Sequence, residues 1–162
     1  MWAYESVFYQ IYPLGFCGAP FENDGVITWE LLVERMNSEL ANTLGNLVNR
    51  TVSMTNKYFD GIVKSTGDTA DQADIDADLK AVVTGAKEKI AKKMTDLRVA
   101  DSITEVFAVF RRCNKYIDET TPWVLAKDEA KQDRLAEVLY NLTEAITIGA
   151  SLLHPFLPET AE

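Results

Sequence analysis

Residues 28–61, "TWELLVERMNSELANTLGNLVNRTVSMTNKYFDG", decide the fold of this chain. Leu32, Met36, Leu40, Leu44, Leu47, Val48, Thr51, Met54 and Tyr58 recur at threes and fours, the period of an amphipathic helix. Thr28 suits the N-cap, Glu30 the first turn, and Gly61 the stop. The spacing therefore predicts one helix of about eight turns, at ~3.6 residues each.

The rest of the chain follows the same period. "STGDTADQAD" (65–74) reads as a loop. A helix is expected from Ile75 to Leu97, with Ile75, Leu79, Val82, Ala86, Ile90, Met94 and Leu97 on its stripe. Gly85 weakens it by about 1 kcal/mol relative to Ala. In "DSITEVFAVFRRCNKYIDE" (101–119), Ser102 and Glu105 form a capping-box pattern, with Ile103, Val106, Phe107, Phe110 and Ile117 inward. "ETTPWVLAKDE" (119–129) turns into a short helix, Thr121 as cap and Pro122 at its first position. A last helix, Lys131 to Leu153, buries Leu135, Val138, Leu142, Ile146 and Leu153 and stops before Pro155. Long amphipathic helices with short connections predict an all-α, antiparallel helix bundle.

Composition narrows the function. With 25 acidic and 16 basic residues the formal charge is −9, which opposes non-specific binding to nucleic acid. Any nucleic-acid role then rests on a local site. No window supplies the ~18 apolar residues of a membrane span. The opening lacks a basic n-region, and Glu5, Gln10 and Pro13 break any apolar core of a secretory signal. Cys17 and Cys113 are two and far apart, so no disulfide framework or zinc cluster is indicated, and a reducing cytoplasm is the expected setting.

Two surface features stand out. With Leu44 set at 0°, Leu47, Val48 and Thr51 fall within about 60°, whereas Asn46 and Arg50 fall at roughly 200° and 240°. An Asn and an Arg one turn apart on the outer face are either a solvated helix face or donors and acceptors for a base edge or phosphate. Trp123, after Pro122, is either a core plug or a rigid platform for an unstacked base.

"LANTLGNLVNRTVSMTNKYFDG" (40–61), "YIDETTPWVLAKDE" (116–129) and "LLHPFLPETAE" (152–162) resemble, in order and spacing, the anticodon-binding helical domain of bacterial methionyl-tRNA synthetases. The resemblance covers about residues 21–162. It implies that Asn46, Arg50, Pro122 and Trp123 meet a CAU anticodon and that tRNA is the partner; the charge of −9 predicts that the tRNA is weakly held. The family's HIGH motif and KMSKS loop do not occur, nor does a glycine-rich phosphate loop. No catalytic residue, cofactor or metal is therefore expected, nor aminoacylation by this chain alone. His154 reads as a structural cap, Asp74, Asp76 and Asp78 as a solvated helix start, and Cys113 as a core residue. A non-catalytic scaffold or interaction bundle is the rival reading.

The opening differs. Seven aromatics crowd its first 21 positions. "YESVFYQIYPLGF" resembles the first barrel strand of alpha-amylase-family glycoside hydrolases over about residues 1–20. One strand cannot close a barrel, so glycosidase activity is not implied beyond a remnant. The expected organisation is a strand-like leader, residues 1–24, foreign or fused, followed by the helical domain at 25–162. The junction is expected between Gly18 and Val26, and the aromatics of residues 1–20 are expected to pack on the bundle, with self-association between copies through this segment as the alternative.

Overall fold

The computed structural model describes residues 28–65 and 73–161. The leader expected at residues 1–24 lies outside the described residues. Among the described residues every regular element is helical: α1 (Trp29–Arg35), a π-helical segment (Met36–Gly45), α2 (Asn46–Phe59), α3 (Ala73–Thr95), α4 (Val99–Thr120), α5 (Pro122–Leu125), a 3-10 turn (Glu129–Lys131), α6 (Gln132–Leu153) and α7 (Pro158–Ala161).

α1, the π segment and α2 run on without a break, because Arg35, Met36, Gly45 and Asn46 all keep right-handed helical angles. Together they form the long helix, 29–59. Thr28 caps it as expected, its hydroxyl accepting from the Leu31 amide at 3.1 Å. Its end comes at Asp60 and Gly61, which take φ of 51° and 82°. Between Met36 and Gly45 the helix widens to i→i+5 turns. Asn46 N–H bonds to the Ala41 carbonyl, and the Thr43 hydroxyl donates to the Ser38 carbonyl at 2.9 Å, both five residues back.

α3 and α4 are antiparallel, tied by Arg112–Asp78 at one end and Lys93–Glu105 at the other. α6 is antiparallel to α4: Asn141 bonds to Tyr116, and Gly149 lies against Phe110 so closely that a Cβ there would fall 2.5 Å from the ring. The long helix crosses this trio in the same sense as α4, pairing Glu39 with Arg111 and Arg50 with Asp118. Asn114 of α4 donates to the Thr43 carbonyl of the π segment at 2.9 Å. The core is Leu44 and Leu47 of the long helix, Leu79, Val83 and Ile90 of α3, Val106, Phe107, Phe110 and Ile117 of α4, and Leu135, Val138, Leu139 and Leu142 of α6.

Several expectations change. Asp76 is buried, not part of a solvated helix start, although Asp74 and Asp78 are exposed. Ser102 is no cap: α4 begins a turn earlier at Val99, and the buried hydroxyl donates back to the Arg98 carbonyl at 3.1 Å. Leu97 is 81% exposed, because α3 stops at Thr95 and Leu97 turns the chain with φ of 58°. Met36, Val48 and Met94 are exposed rather than core, and Val83 takes the inward place expected of Val82.

Candidate nucleic-acid interface

One side of the site comes from the long helix. Asn46 opens α2 and is exposed; Arg50, one turn on, is half-buried. Leu47 and Thr51, on the opposite phase, are buried and fix the rotation of the helix. The expected face therefore holds both polar residues outward.

The other side is the turn after α4. Thr121 lies at φ 46°, ψ 60°, serving as C-cap of α4 and N-cap of α5. A β-branched residue in the left-handed region costs on the order of 1–3 kcal/mol. Surrounding bonds impose it: Thr121 N–H to the Ile117 carbonyl at 3.0 Å, Val124 N–H to the Thr121 carbonyl at 2.8 Å, and the Thr120 hydroxyl to the Tyr116 carbonyl at 2.7 Å. Thr121 occupies the cap position, but its side chain makes no cap bond. Pro122 at the first helical position and Leu125 are buried, so they anchor α5, while Trp123 stays 41% exposed. The core-plug reading of Trp123 is thereby replaced: Pro122 and Leu125 are the plugs, and the indole faces outward.

The two sides meet. The Arg50 guanidinium carbon stands 5.9 Å from the Trp123 ring centroid, within cation–π range. Its Nη2 donates to Asp118 Oδ1 at 3.5 Å. Asn46, Arg50 and Trp123 thus present an amide, a guanidinium and a flat ring, with the exposed carboxylate of Asp118 at the edge. Such a set can stack a base and pair with its edge.

The Cys113 thiol is buried, and burial pushes it up to about 12, so it holds its proton and packs as a small apolar group. His154 caps α6 at an exposed position, its N–H bonding to the Ala150 carbonyl at 2.9 Å. Among the described residues no cluster of His, Cys, Asp or Glu could hold a metal, and no helix is long and apolar enough to cross a membrane.

A second polar cluster lies buried at the same end of the bundle. Arg134 donates to Asp76 through Nη1 at 2.6 Å and Nη2 at 2.8 Å, Tyr116 Oη donates to Asp76 at 2.6 Å, and Asn141 Nδ2 donates to Tyr116 Oη at 3.3 Å. Burial by itself would raise the Asp76 carboxyl, but hydrogen bonds from Arg134 and Tyr116 outweigh it and hold it below the ordinary range. Burial lowers and the Asp76 bond raises Arg134, which stays charged, and burial drives the Tyr116 phenol upward. The sequence held a sign of this cluster. Asp76 falls about 20° from Val83, and Arg134 about 40° from Val138, on the inward arcs of their helices.

The comparisons agree with the helical fold. A family model described as the anticodon binding domain of methionyl tRNA ligase matches residues 65–162. A second, tRNA synthetases class I (M), matches residues 12–52. That match runs through positions 18–26, where a junction is expected. None of these matches supports the glycoside-hydrolase resemblance of residues 1–20 or a chimeric origin. The methionine–tRNA ligase of Clostridium acetobutylicum is 46% identical over 88% of this chain and 22% of its own length. That of Bacillus subtilis is also 46% identical, over 88% of this chain and 21% of its own. The solved structure of Mycobacterium tuberculosis methionyl-tRNA synthetase in complex with methionyl-adenylate superposes with a TM-score of 0.81 at 36% identity, covering 90% of this chain and 28% of that one. The chain thus spans about a fifth of the length of the curated relatives it matches. Because the family model for that domain matches residues 65–162, more than half of the chain, the chain belongs to the anticodon-binding domain family of methionyl-tRNA ligases.

Proposed function

We propose that this domain binds the CAU anticodon loop of a methionine tRNA, with an unstacked base on the Trp123 ring. Arg50, beside that ring, and Asn46, one turn away, pair with base edges or a phosphate. Pro122 sets the backbone that presents the indole. The observation that carries the reading is the placement of the Arg50 guanidinium 5.9 Å from an exposed Trp123, across 73 residues of sequence. A chain of charge −9 meeting a polyanion relies on these few contacts, so binding is weak and falls with salt. The described residues supply recognition, and no chemical step is assigned to them.

Fluorescence anisotropy with a CAU-containing stem-loop, titrated at several salt concentrations, tests this. Loss of one stacking platform costs about 1–3 kcal/mol, roughly five- to a hundredfold in affinity, so Trp123→Ala takes the binding out of range. Equal affinity for CAU and scrambled loops would instead favour the scaffold reading.

A further inference from the structure

We propose that the buried Asp76–Arg134–Tyr116 cluster is a positioning clamp for Trp123, setting the distance between the two helix ends that carry its turn. The inference rests on the anticodon reading for its consequence in RNA binding, but not for its geometry.

The connector carrying Trp123 is strung between α4, which ends at Thr120, and α6, which begins at Gln132. Both ends are tied to one carboxylate of α3. Tyr116, in the last turns of α4, donates to Asp76 Oδ1, and Arg134, in the first turn of α6, grips both Asp76 oxygens. Asn141, two turns farther along α6, closes the ring of bonds by donating to Tyr116 Oη. The same Tyr116 passes the constraint on. Its carbonyl accepts the Thr120 hydroxyl, and Thr121 next to it takes the left-handed angles from which Pro122 and Trp123 start. Leu125 anchors the far side of the short helix.

A bidentate arginine–carboxylate pair admits one geometry, whereas apolar side chains tolerate sliding. Buried pairs are often no better for stability than apolar packing of the same volume. The distinctive effect of this one is therefore the fixed spacing of α3, α4 and α6 where Trp123 is presented. Arg112 covers the Tyr116 ring, its guanidinium carbon 5.9 Å from the centroid, and donates to the Ile75 carbonyl at 3.3 Å, which adds a further tie between α3 and α4.

The test uses the whole chain, with Trp2, Trp29 and Trp123 carrying ¹⁵N-labelled indoles. Tyr116→Phe removes the hydroxyl that links α4 to the clamp. The Trp123 indole resonance is expected to shift or broaden while that of Trp29 stays in place. CAU stem-loop affinity is expected to fall about three- to tenfold, the worth of one hydrogen bond. Ile90→Val, a core change more than three turns along α3 from Asp76, is the control for stability alone and should move neither readout at a comparable loss of melting temperature. Should Tyr116→Phe fail to fold, Asn141→Leu removes a single bond of the same ring and is read in the same way. An unmoved Trp123 resonance overturns the proposal, as does an equal effect of Ile90→Val. If the parent chain fails to bind the CAU loop, the anticodon reading falls, and the indole spectrum still decides the clamp.

Discussion

Arg50 and Arg134 each pair with an aspartate, yet the two pairs sit in different solvents. Arg50 meets Asp118 at 3.5 Å with side chains 31% and 69% exposed, while Arg134 meets Asp76 at 2.6 Å with side chains 4% and 6% exposed. In water the first pair is screened and can exchange partners, which suits a surface that must accept a ligand. Away from water the second is bidentate and backed by Tyr116, and either partner alone would be a stranded charge. Under the proposed reading, similar chemistry serves recognition at the surface and geometry in the core.

The sharpest way to break this contrast is to remove one buried partner. Arg134→Ala should cost about 3–5 kcal/mol, because Asp76 is left charged and buried. Urea unfolding measures it, and a loss below about 1 kcal/mol, the scale of a surface pair, would erase the distinction.

Acid should act on the same side of the comparison. The folded Asp76 carboxyl lies below its ordinary 3.8, so its stabilising contribution is complete above that value and is lost as pH falls through the lower folded one. Melting temperature followed downward from pH 5 should therefore drop more steeply in the parent chain than in Asp76→Asn. Parallel curves would mean the pair contributes nothing that depends on ionisation.

On the exposed side the largest effect falls on binding rather than stability. Trp123→Ala should weaken RNA binding by about 1–3 kcal/mol. Its effect on unfolding should stay near ±0.5 kcal/mol, as for a surface side chain. A large loss of stability would make the indole a structural element after all.

The smallest effect is expected at Asp118. Asp118→Asn should change stability by no more than about 1 kcal/mol, since the pair with Arg50 is long and open to solvent. A cost near that of Arg134→Ala would place both pairs in one class.

The helices, their order and the outward phase of Asn46 and Arg50 were legible in the chain because burial of a helix follows its own 3.6-residue period. Thr28 as cap and Pro122 at the start of α5 were equally local, each depending on a few neighbouring backbone groups. The reading failed where an element's bounds or its packing differ from the local pattern: Ser102 has a capping sequence but is buried within α4, and Leu97 continues the stripe of α3 yet turns outward because the helix has ended. Asp76 had an inward phase and a polar identity, and only its partners could settle which prevailed. Those partners are Tyr116 and Arg134, 40 and 58 residues away. Periodicity determines which way a side chain points, since it is set within one turn. What meets it there depends on helices brought together from distant parts of the chain. For that reason the closeness of Arg50 to Trp123, and the charge buried at Asp76, were decided by the tertiary structure alone.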